Sequence, residues 1–446
     1  MASNLFRSIG LVSAVAFIPA ATAALAQVDV NSYREIDQFM SVLERVKAEY
    51  VDQVDDTTLI RGAIDGMLSS LDPHSSYLDA RGFQSLMTTT DGNYGGLGLT
   101  VTMEDGAVKV IAATRGTPAD RAGIKAGDFI THIDGQLFFG GTLDEAVEKM
   151  RGAPGTSVRI TVVRPGRDAP LQLSITRAVI DIPAVTSAVQ DRVGILTVTT
   201  FNRNTTEAAQ RAMADIRRQL GGEPSGWVLD LRSNPGGLLD QAVGLSDLFL
   251  ERGEIVSQRG RRRTDIERYY ARPGDEAHGA PIVVLVDAGT ASASEIVAAA
   301  LQDHRRAIVM GETTFGKGSV QTLIPLGRGD TALRLTTARY YTPSGRSVQE
   351  GGVSPDLRVP QLSDPDFASR TRVRESDLRR HLVNEAGIRD DVLQDDGRPD
   401  PRFASTTQEL EQRGIEDYQL HYAVQTISRL NRVQTAGAAP GRTSRR

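Results

Sequence analysis

Short apolar runs alternate with longer amphipathic runs along the second half of the chain, and this alternation limits the possible folds more than any other feature. Three apolar runs are bounded by turn residues and are typical of buried strands: 195–199, 227–231 and 282–286. Helical periodicity follows them over 208–220, 238–249 and 292–301. Strands that alternate with helices form a largely parallel sheet covered by helices, so the pattern predicts an α/β domain.

Between residues 93 and 178 the pattern changes to short strands separated by glycine turns. It predicts a hairpin around Gly106, a helix over 143–150 and a further strand over 158–163, in an order that resembles a PDZ domain. A glycine loop of four residues opens the segment: Gly96, Leu97, Gly98 and Leu99. In a PDZ domain such a loop holds a peptide's terminal carboxylate while the peptide adds a strand to an open sheet edge. The alternative is a tight turn with no ligand.

The ends of the chain predict a targeting segment and helices. Residues 1–26 combine Arg7, an uncharged apolar run and an A-x-A cleavage pattern, as in a signal peptide; an uncleaved membrane anchor is the alternative. We therefore expect the mature chain to work outside the cytoplasm. Helical periodicity over 32–50 and 59–71 leaves two apolar stripes that the body of the protein or another subunit must cover. After residue 360 the chain is again polar and helical, and its last dozen residues are predicted to be disordered.

Composition excludes several chemistries. The chain has no cysteine, which excludes a thiol nucleophile. Its six histidines are scattered without HxH or HxxxH spacing, so neither a metal site nor a cofactor is predicted. A net charge of −5 gives no reason to expect nucleic acid as a partner. Lysine is scarce, with five residues, and Lys317 stands between two glycines. Of the two long cationic side chains, only lysine can shift its pKa far enough to act as a base.

Ser292 lies at the predicted junction between a strand and an alanine-rich helix. A serine at such a junction is raised to the edge of the sheet, with its oxygen near the positive end of the helix, as a nucleophile requires. The run Ser292-Ala293-Ser294-Glu295 also fits a capping box, which needs only helix stability to explain it. For this run alone the cap is the simpler interpretation, and the two roles are compatible.

Lys317 has two interpretations. The run 311–317 fits GxxxxGK, the start of a P-loop, but Gly318 stands where that motif needs Ser or Thr, and 319–326 lacks the pattern of a long helix. A neutral lysine amine can instead remove the proton of a hydroxyl, so Lys317 is a candidate general base for Ser292.

The run LRSNPGG, residues 231–237, follows an apolar strand and precedes a helix. Glycine backbone at such a place can direct N–H groups at an anion, including the oxyanion of a tetrahedral intermediate. A simple turn is the alternative for this motif alone.

The order of LRSNPGG, GTASASEI, GETTFGKGSVQ and TTARYYTPSGRSVQ, with SSLDPHSSYL upstream at 69–78, resembles the carboxyl-terminal processing peptidases, also called tail-specific proteases. The resemblance covers most of the chain up to about residue 356. It implies that Ser292 is the nucleophile, that Lys317 is the general base and that Gln321 orients the lysine.

The resemblance also implies where the oxyanion is held and how the chain is divided. The oxyanion donors are the backbone N–H groups of Gly237 (or its neighbour Gly236) and Ala293. The implied fold is multidomain α+β and α/β, with a PDZ domain inserted before an α/β protease core of the crotonase/ClpP-like type and helical segments at both ends. We expect a signal peptide (1–26), an N-terminal helical region (27–90), the PDZ domain (91–178), the protease core (179–360) and a C-terminal helical extension with a disordered tail (361–446).

The implied activity is that of a periplasmic serine endopeptidase, without cofactor, that cleaves C-terminal regions of envelope proteins. The PDZ domain would deliver the apolar tail of the substrate. Partners expected besides the tail are further copies of the chain, joined through the terminal helices, and an adaptor protein. Two alternatives stay open: a PDZ-based peptide-binding scaffold with an inactive protease core, and an acyl hydrolase of different specificity that uses the same dyad.

Lys317 can act as a base at neutral pH only if its pKa is well below that of a free lysine. Free lysine has a pKa of about 10.4, and lowering it to about 7 disfavours the charged form by roughly 4–5 kcal/mol, which desolvation can supply. We therefore predict that Lys317 is largely buried, has no carboxylate within reach and is oriented by the neutral amide of Gln321. A salt bridge would raise the pKa and prevent the chemistry.

Overall fold

The computed structural model describes residues 30–327, 329–367, 369–387 and 402–437. The predicted signal peptide lies outside the described residues. Within them, no helix is both long enough and apolar enough to cross a bilayer. Backbone contacts divide the chain into two units, residues 1–66 and 67–446.

The described part of the first unit is helical. It contains helix α1 (Val30–Glu49) and most of helix α2 (Asp56–Ser69), which ends in the second unit. Ile36, Phe39 and Met40 of α1 are exposed. The two predicted helices are thus confirmed, whereas the surface that covers the apolar stripe of α1 stays a prediction.

After the end of α2, the second unit contains a short strand and a helix that the sequence pattern did not predict: β1 (Ser76–Leu78) and α3 (Ala80–Asp91). The Asp79 carboxylate caps α3 by accepting the Gly82 N–H, and the helix ends at Gly92 with a left-handed φ of 72°. Asx capping and a left-handed glycine are the usual start and end of a helix.

The glycine-rich segment forms a sheet of its own. Its elements are β2 (Asn93–Gly96), β3 (Leu99–Glu104), β4 (Ala107–Ala113), α4 (Pro118–Arg121), β5 (Phe129–Ile133), β6 (Gln136–Leu137), α5 (Leu143–Met150), β7 (Ser157–Val163), β8 (Leu171–Thr176) and β9 (Ala178–Asp181). The strand order is β3-β4-β5-β7-β8, with β6 beside β5, while β2 pairs with β9. The predicted hairpin, helix and strand are confirmed. Among the described residues strand β3 pairs only with β4, which leaves its second edge open there.

The larger domain contains two sheets. Its elements are β10 (Val185–Gln190), β11 (Val193–Val198), α6 (Thr205–Leu220), β12 (Gly226–Asp230), α7 (Leu239–Asp247), β13 (Gly253–Gly260), β14 (Ile266–Ala271), β15 (Ile282–Val286), α8 (Ala293–Asp303), β16 (Ile308–Gly311), β17 (Ser319–Leu326), β18 (Thr331–Tyr341) and β19 (Leu357–Arg358). One sheet has the order β10-β11-β12-β15-β16-β19 and is parallel from β11 onward, which confirms the predicted α/β sheet. The other sheet is antiparallel, in the order β1-β18-β13-β14 with β17 beside β18.

Helices cover both faces of the parallel sheet, which explains why all five residues of β12 and of β15 are buried. One face contributes to a core shared with α6, α7 and α8. The other face packs against two C-terminal helices, α9 (Thr407–Gln412) and α10 (Tyr418–Gly437), through residues such as Val424 and Ile427.

The predicted helical extension after residue 360 is wrong for residues 361–387, where the only helical turn in the described part is a 3₁₀ turn at Glu375–Asp377. This segment is fixed by buried side chains instead: Glu375 and Asn384 both bond to Gln349 of the larger domain. The predicted disordered tail is wrong for residues 435–437, which end α10, and otherwise lies outside the described residues.

Candidate active site

The nucleophile predicted from sequence lies at the carboxyl edge of the parallel sheet. The chain leaves β15, turns through residues 287–291 and reaches Ser292 just before α8. Ser292 has φ 55° and ψ −114°, a conformation that is strained for a residue other than glycine and is characteristic of functional sites. Its side chain makes no capping hydrogen bond, and it is 7% exposed. Ser292 and Glu295 stand at the N-cap and third positions of α8, as the predicted capping box requires.

The second residue of that box is Glu295, which joins the loop of Ser292 to the loop of Lys317. Its carboxylate is fully buried and accepts four hydrogen bonds: from the N–H groups of Ser292 (2.8 Å), Gly316 (2.8 Å) and Lys317 (2.9 Å) and from the Thr314 hydroxyl (2.5 Å). Burial raises the pKa of Glu295 to about 7, against the opposing effect of these donors. The same carboxylate oxygen, Oε2, binds Ser292 and Lys317, so the two backbones are held side by side.

Lys317 lies in the loop before β17, and its amine donates to Gln321 Oε1 at 2.5 Å. This confirms the predicted contact between the lysine and a neutral amide. Burial lowers the pKa of Lys317 to about 8; the Glu375 carboxylate acts in the opposite direction, and Arg334 in the same direction. In the described part of the chain no hydrogen bond joins the Lys317 amine to the Ser292 hydroxyl.

The lysine environment agrees with the prediction in its burial and differs from it in the nearby charges. The Lys317 side chain is largely buried, and this burial is the main cause of its lowered pKa. Glu375, Glu295 and Asp72 are close enough to raise its pKa, although no carboxylate of the described residues forms an ion pair with it. Desolvation outweighs these carboxylates, so the net shift still favours the neutral amine. The residues after Lys317 form strand β17, and a P-loop needs a helix there, so the nucleotide-binding interpretation is wrong.

The three predicted oxyanion donors are not equivalent. The Gly236 N–H donates to Asn234 Oδ1 at 2.9 Å, so the prediction that it is an available donor is wrong. Gly237 and Ala293 N–H have no hydrogen-bond acceptor among the described residues. Ala293 is the first residue of α8, where N–H groups lack partners within the helix. Gly236 still packs against Ser292, since a Cβ at position 236 would lie 2.9 Å from Ser292 Cβ.

The four residues of the predicted carboxylate loop line one cavity of about 220 Å³ between that loop, β3 and α5. The other lining residues are Tyr94, Val101, Leu143, Val147, Met150 and Arg151. Gly98 has φ 78°, and a Cβ there would lie 2.4 Å from Thr117, so the loop requires glycine at this position. No strand in the described part of the chain pairs with the open edge of β3, so the backbone of that edge is able to pair with an extended peptide.

The sequence did not predict which residues hold Gln321, the hydrogen-bond partner of Lys317. Thr336 on β18 accepts a hydrogen bond from the Gln321 amide, and Asp72 accepts one from Thr336. Both belong to motifs quoted for the family resemblance, which was the only indication of their importance in the sequence.

Family models match three parts of the chain. The model of peptidase family S41 matches residues 192–359, a PDZ domain model matches 109–164, and the model of the N-terminal domain of the activating protease CtpB matches 16–82.

Whole-chain comparisons extend these matches. The carboxy-terminal-processing protease of Bartonella bacilliformis is 49% identical over 354 residues, covering 79% of this chain and 81% of that protein. The carboxy-terminal processing protease CtpB of Bacillus subtilis is 35% identical over 355 residues, covering 78% and 72%. Among solved structures, the photosystem II D1 C-terminal processing protease is 31% identical and covers 74% of this chain and 91% of that one, with a TM-score of 0.42.

The fold and these matches define a serine-type protease with an attached PDZ domain. The chain belongs to the family of carboxy-terminal processing proteases, as the extent of its similarity to these relatives shows.

Proposed function

We propose that this protease cleaves C-terminal regions of envelope proteins in the periplasm, with Ser292 as nucleophile and Lys317 as general base. The observation that supports the dyad most strongly is the state of the Lys317 amine. Burial lowers its pKa to about 8, it donates to a neutral amide, and Glu295 fixes its backbone beside that of Ser292. A lysine that was only structural would gain more from a carboxylate partner.

The chemistry follows from the charge state. The neutral amine of Lys317 takes the proton of the Ser292 hydroxyl as the oxygen attacks the scissile carbonyl carbon. The N–H groups of Gly237 and Ala293 stabilise the negative oxygen of the tetrahedral intermediate. Lys317 then gives its proton to the leaving amine, and the C–N bond breaks to leave an acyl-enzyme. A water molecule, deprotonated by Lys317 in turn, attacks the acyl carbon. The bond from that carbon to Ser292 Oγ breaks, Lys317 returns the proton to the serine oxygen, and the acid product leaves.

The PDZ domain supplies the specificity for a chain end. A peptide paired with the open edge of β3 would carry its terminal carboxylate to the backbone of Leu97 and Gly98 and its side chains to the half-buried Val147 of α5. The apolar side chains in that cavity favour an apolar tail.

Location and assembly are part of the same proposal. The targeting pattern of residues 1–26 supports export to the periplasm. The exposed apolar residues of α1 support assembly with further copies of the chain, and an adaptor protein would deliver substrates.

Digestion of an unstructured protein with an apolar tail tests the dyad. We expect cleavage by wild type and by the control Lys125→Arg, which changes an exposed lysine, and none by Ser292→Ala or Lys317→Arg. Arginine keeps the positive charge but cannot act as a base. Chelators should have no effect. Equal cleavage by Lys317→Arg would contradict the base role, and tail binding without cleavage by wild type would favour the scaffold alternative.

A further inference from the structure

The motif SSLDPHSSYL, residues 69–78, is not explained by the dyad, yet hydrogen bonds connect it to Lys317. Its strand β1 pairs with β18, with Ser76 opposite Arg334. Asp72, just before that strand, is 4% exposed and carries no arginine or lysine partner among the described residues. Its carboxylate instead accepts hydrogen bonds from four donors: the His74 N–H (2.8 Å), the Ser75 N–H (2.9 Å), the Ser75 hydroxyl (2.7 Å) and the Thr336 hydroxyl (3.1 Å).

A continuous chain of hydrogen bonds leads from this carboxylate to the amine of Lys317. The Thr336 hydroxyl donates to Asp72 Oδ1. The Gln321 Nε2 group donates to Thr336 Oγ1 at 3.1 Å and to Ser319 Oγ at 3.0 Å. The remaining polar atom of the amide, Oε1, accepts from the Lys317 amine.

The direction of this chain is fixed at its far end. A carboxylate can only accept, and a threonine hydroxyl has one proton to give. Once Thr336 gives that proton to Asp72, its oxygen can only accept from Gln321. The amide nitrogen of Gln321 must therefore face Thr336, and the amide oxygen must face Lys317.

We propose that Asp72 and Thr336 are positioning residues for the catalytic base, which set the amide of Gln321 so that its oxygen faces Lys317. The proposal rests on the role of Lys317 stated above. A neutral amine has one lone pair and two N–H groups. An amide oxygen engages an N–H and leaves the lone pair free for the Ser292 proton. A flipped amide would present an N–H, which would occupy the lone pair of the neutral amine and repel the charged one.

The charge on Asp72 is available over the working pH range. Burial raises the pKa of Asp72, but the hydrogen bonds from Ser75, His74 and Thr336 outweigh it and hold the pKa below its usual value. The carboxylate therefore stays ionised wherever Lys317 titrates, so the direction of the chain does not change with pH.

The test is a comparison of two threonines on one strand. Thr336→Val removes the hydroxyl and keeps the shape, whereas Thr336→Ser keeps the hydroxyl. Thr337→Val is the matched control, since its hydroxyl is exposed and bonds to Thr322, away from the lysine. With a tail-bearing peptide substrate we expect kcat of Thr336→Val to fall about tenfold or more, because the alternative amide orientation becomes accessible, with KM and melting temperature near wild type. Thr336→Ser should recover most of the lost rate.

Asp72→Asn is the second variant. An asparagine amide can donate as well as accept, so it removes the directional constraint while nearly preserving the volume. We expect the same fall in kcat on the pH plateau, where Lys317 is neutral, because the lysine then meets a mixture of amide orientations, and no change in peptide capture by the PDZ domain. The midpoint of the pH profile should also move to lower pH, because the Asp72 charge raises the pKa of Lys317 and is lost in this variant.

The outcomes separate this proposal from the dyad itself. If Lys317→Arg is inactive and folded Thr336→Val retains wild-type kcat and pH profile, the positioning role is wrong and the dyad stands. If Thr336→Val, Thr336→Ser and Thr337→Val all lose rate equally, the hydroxyl is not responsible and the positioning role is also wrong. If Lys317→Arg cleaves, the general base has been misassigned.

Discussion

The lowered pKa of Lys317 leads to a specific pH dependence. Burial takes this pKa from 10.5 to about 8, which corresponds to roughly 3 kcal/mol of destabilisation of the charged amine. At pH 7 about one molecule in ten then carries a neutral base, compared with about one in three thousand for an unshifted lysine. The base must be neutral, so activity is present above the pKa and is lost as the pH falls through it. We expect kcat/KM for a peptide substrate to rise about tenfold per pH unit up to about pH 8 and then level off.

Two charged neighbours of Lys317 allow the midpoint of the pH–rate profile to be shifted in opposite directions. The Glu375 carboxylate raises the pKa of Lys317, so Glu375→Gln should shift the midpoint to lower pH. Arg334 lowers that pKa, so Arg334→Gln should shift the midpoint to higher pH. The assay is the initial rate of peptide cleavage across the pH range, with circular dichroism at each pH to show that the variants stay folded. The reasoning would be refuted if both variants shifted the midpoint in the same direction. It would also be refuted if the activity of the wild type rose only near pH 10.

Three further predictions concern other parts of the molecule. Gly237→Ala should lower kcat by about 10²–10³, because a Cβ at this φ of 145° would lie 2.3 Å from a backbone carbonyl oxygen and displace an oxyanion donor. The assay is steady-state kinetics, with Gly222→Ala as the control because a Cβ at position 222 would lie in open space. Equal rates for the two variants would exclude the Gly237 N–H as a donor. Val147→Glu should weaken binding of an apolar carboxylated peptide roughly tenfold or more, measured by fluorescence anisotropy, because it puts a charge into the apolar cavity; unchanged affinity would place the tail elsewhere. Arg232→Lys should lower the free energy of unfolding by about 2 kcal/mol in urea denaturation, because lysine cannot reproduce the two hydrogen bonds from Arg232 to the Asp417 carboxylate. An unchanged free energy of unfolding would show that this contact does not hold the C-terminal helix.

Local patterns in the sequence predict much of this fold. The apolar run of β15 and the amphipathic run of α5 have the predicted bounds, since five buried residues in a row and a helical stripe are properties of the segment itself. The glycine loop at 96–99 likewise lines a cavity as expected. Its requirement for glycine depends on Thr117, which is a contact that no local pattern contains.

The features that could not be predicted depend on distant or side-chain partners. Ser75 and Thr336 meet across 261 positions, so the role of the 69–78 motif appears only when β1 and β18 pair. Gly236 looks like a free donor in sequence, but a side-chain oxygen two residues away takes its N–H. The segment after residue 360 was predicted to be helical from its polar composition. Its actual structure depends on the buried Glu375 and its contact with Gln349, and these leave no periodic pattern in the sequence.

The most direct test of the account is to titrate the Lys317 amine itself. With five lysines in the chain, NMR of ¹⁵Nζ-labelled Ser292→Ala protein gives few resonances, and the one absent from a Ser292→Ala/Lys317→Arg sample belongs to Lys317. The account predicts a titration midpoint near 8. A midpoint at the ordinary value of 10.5 in the substrate-bound protein would contradict it.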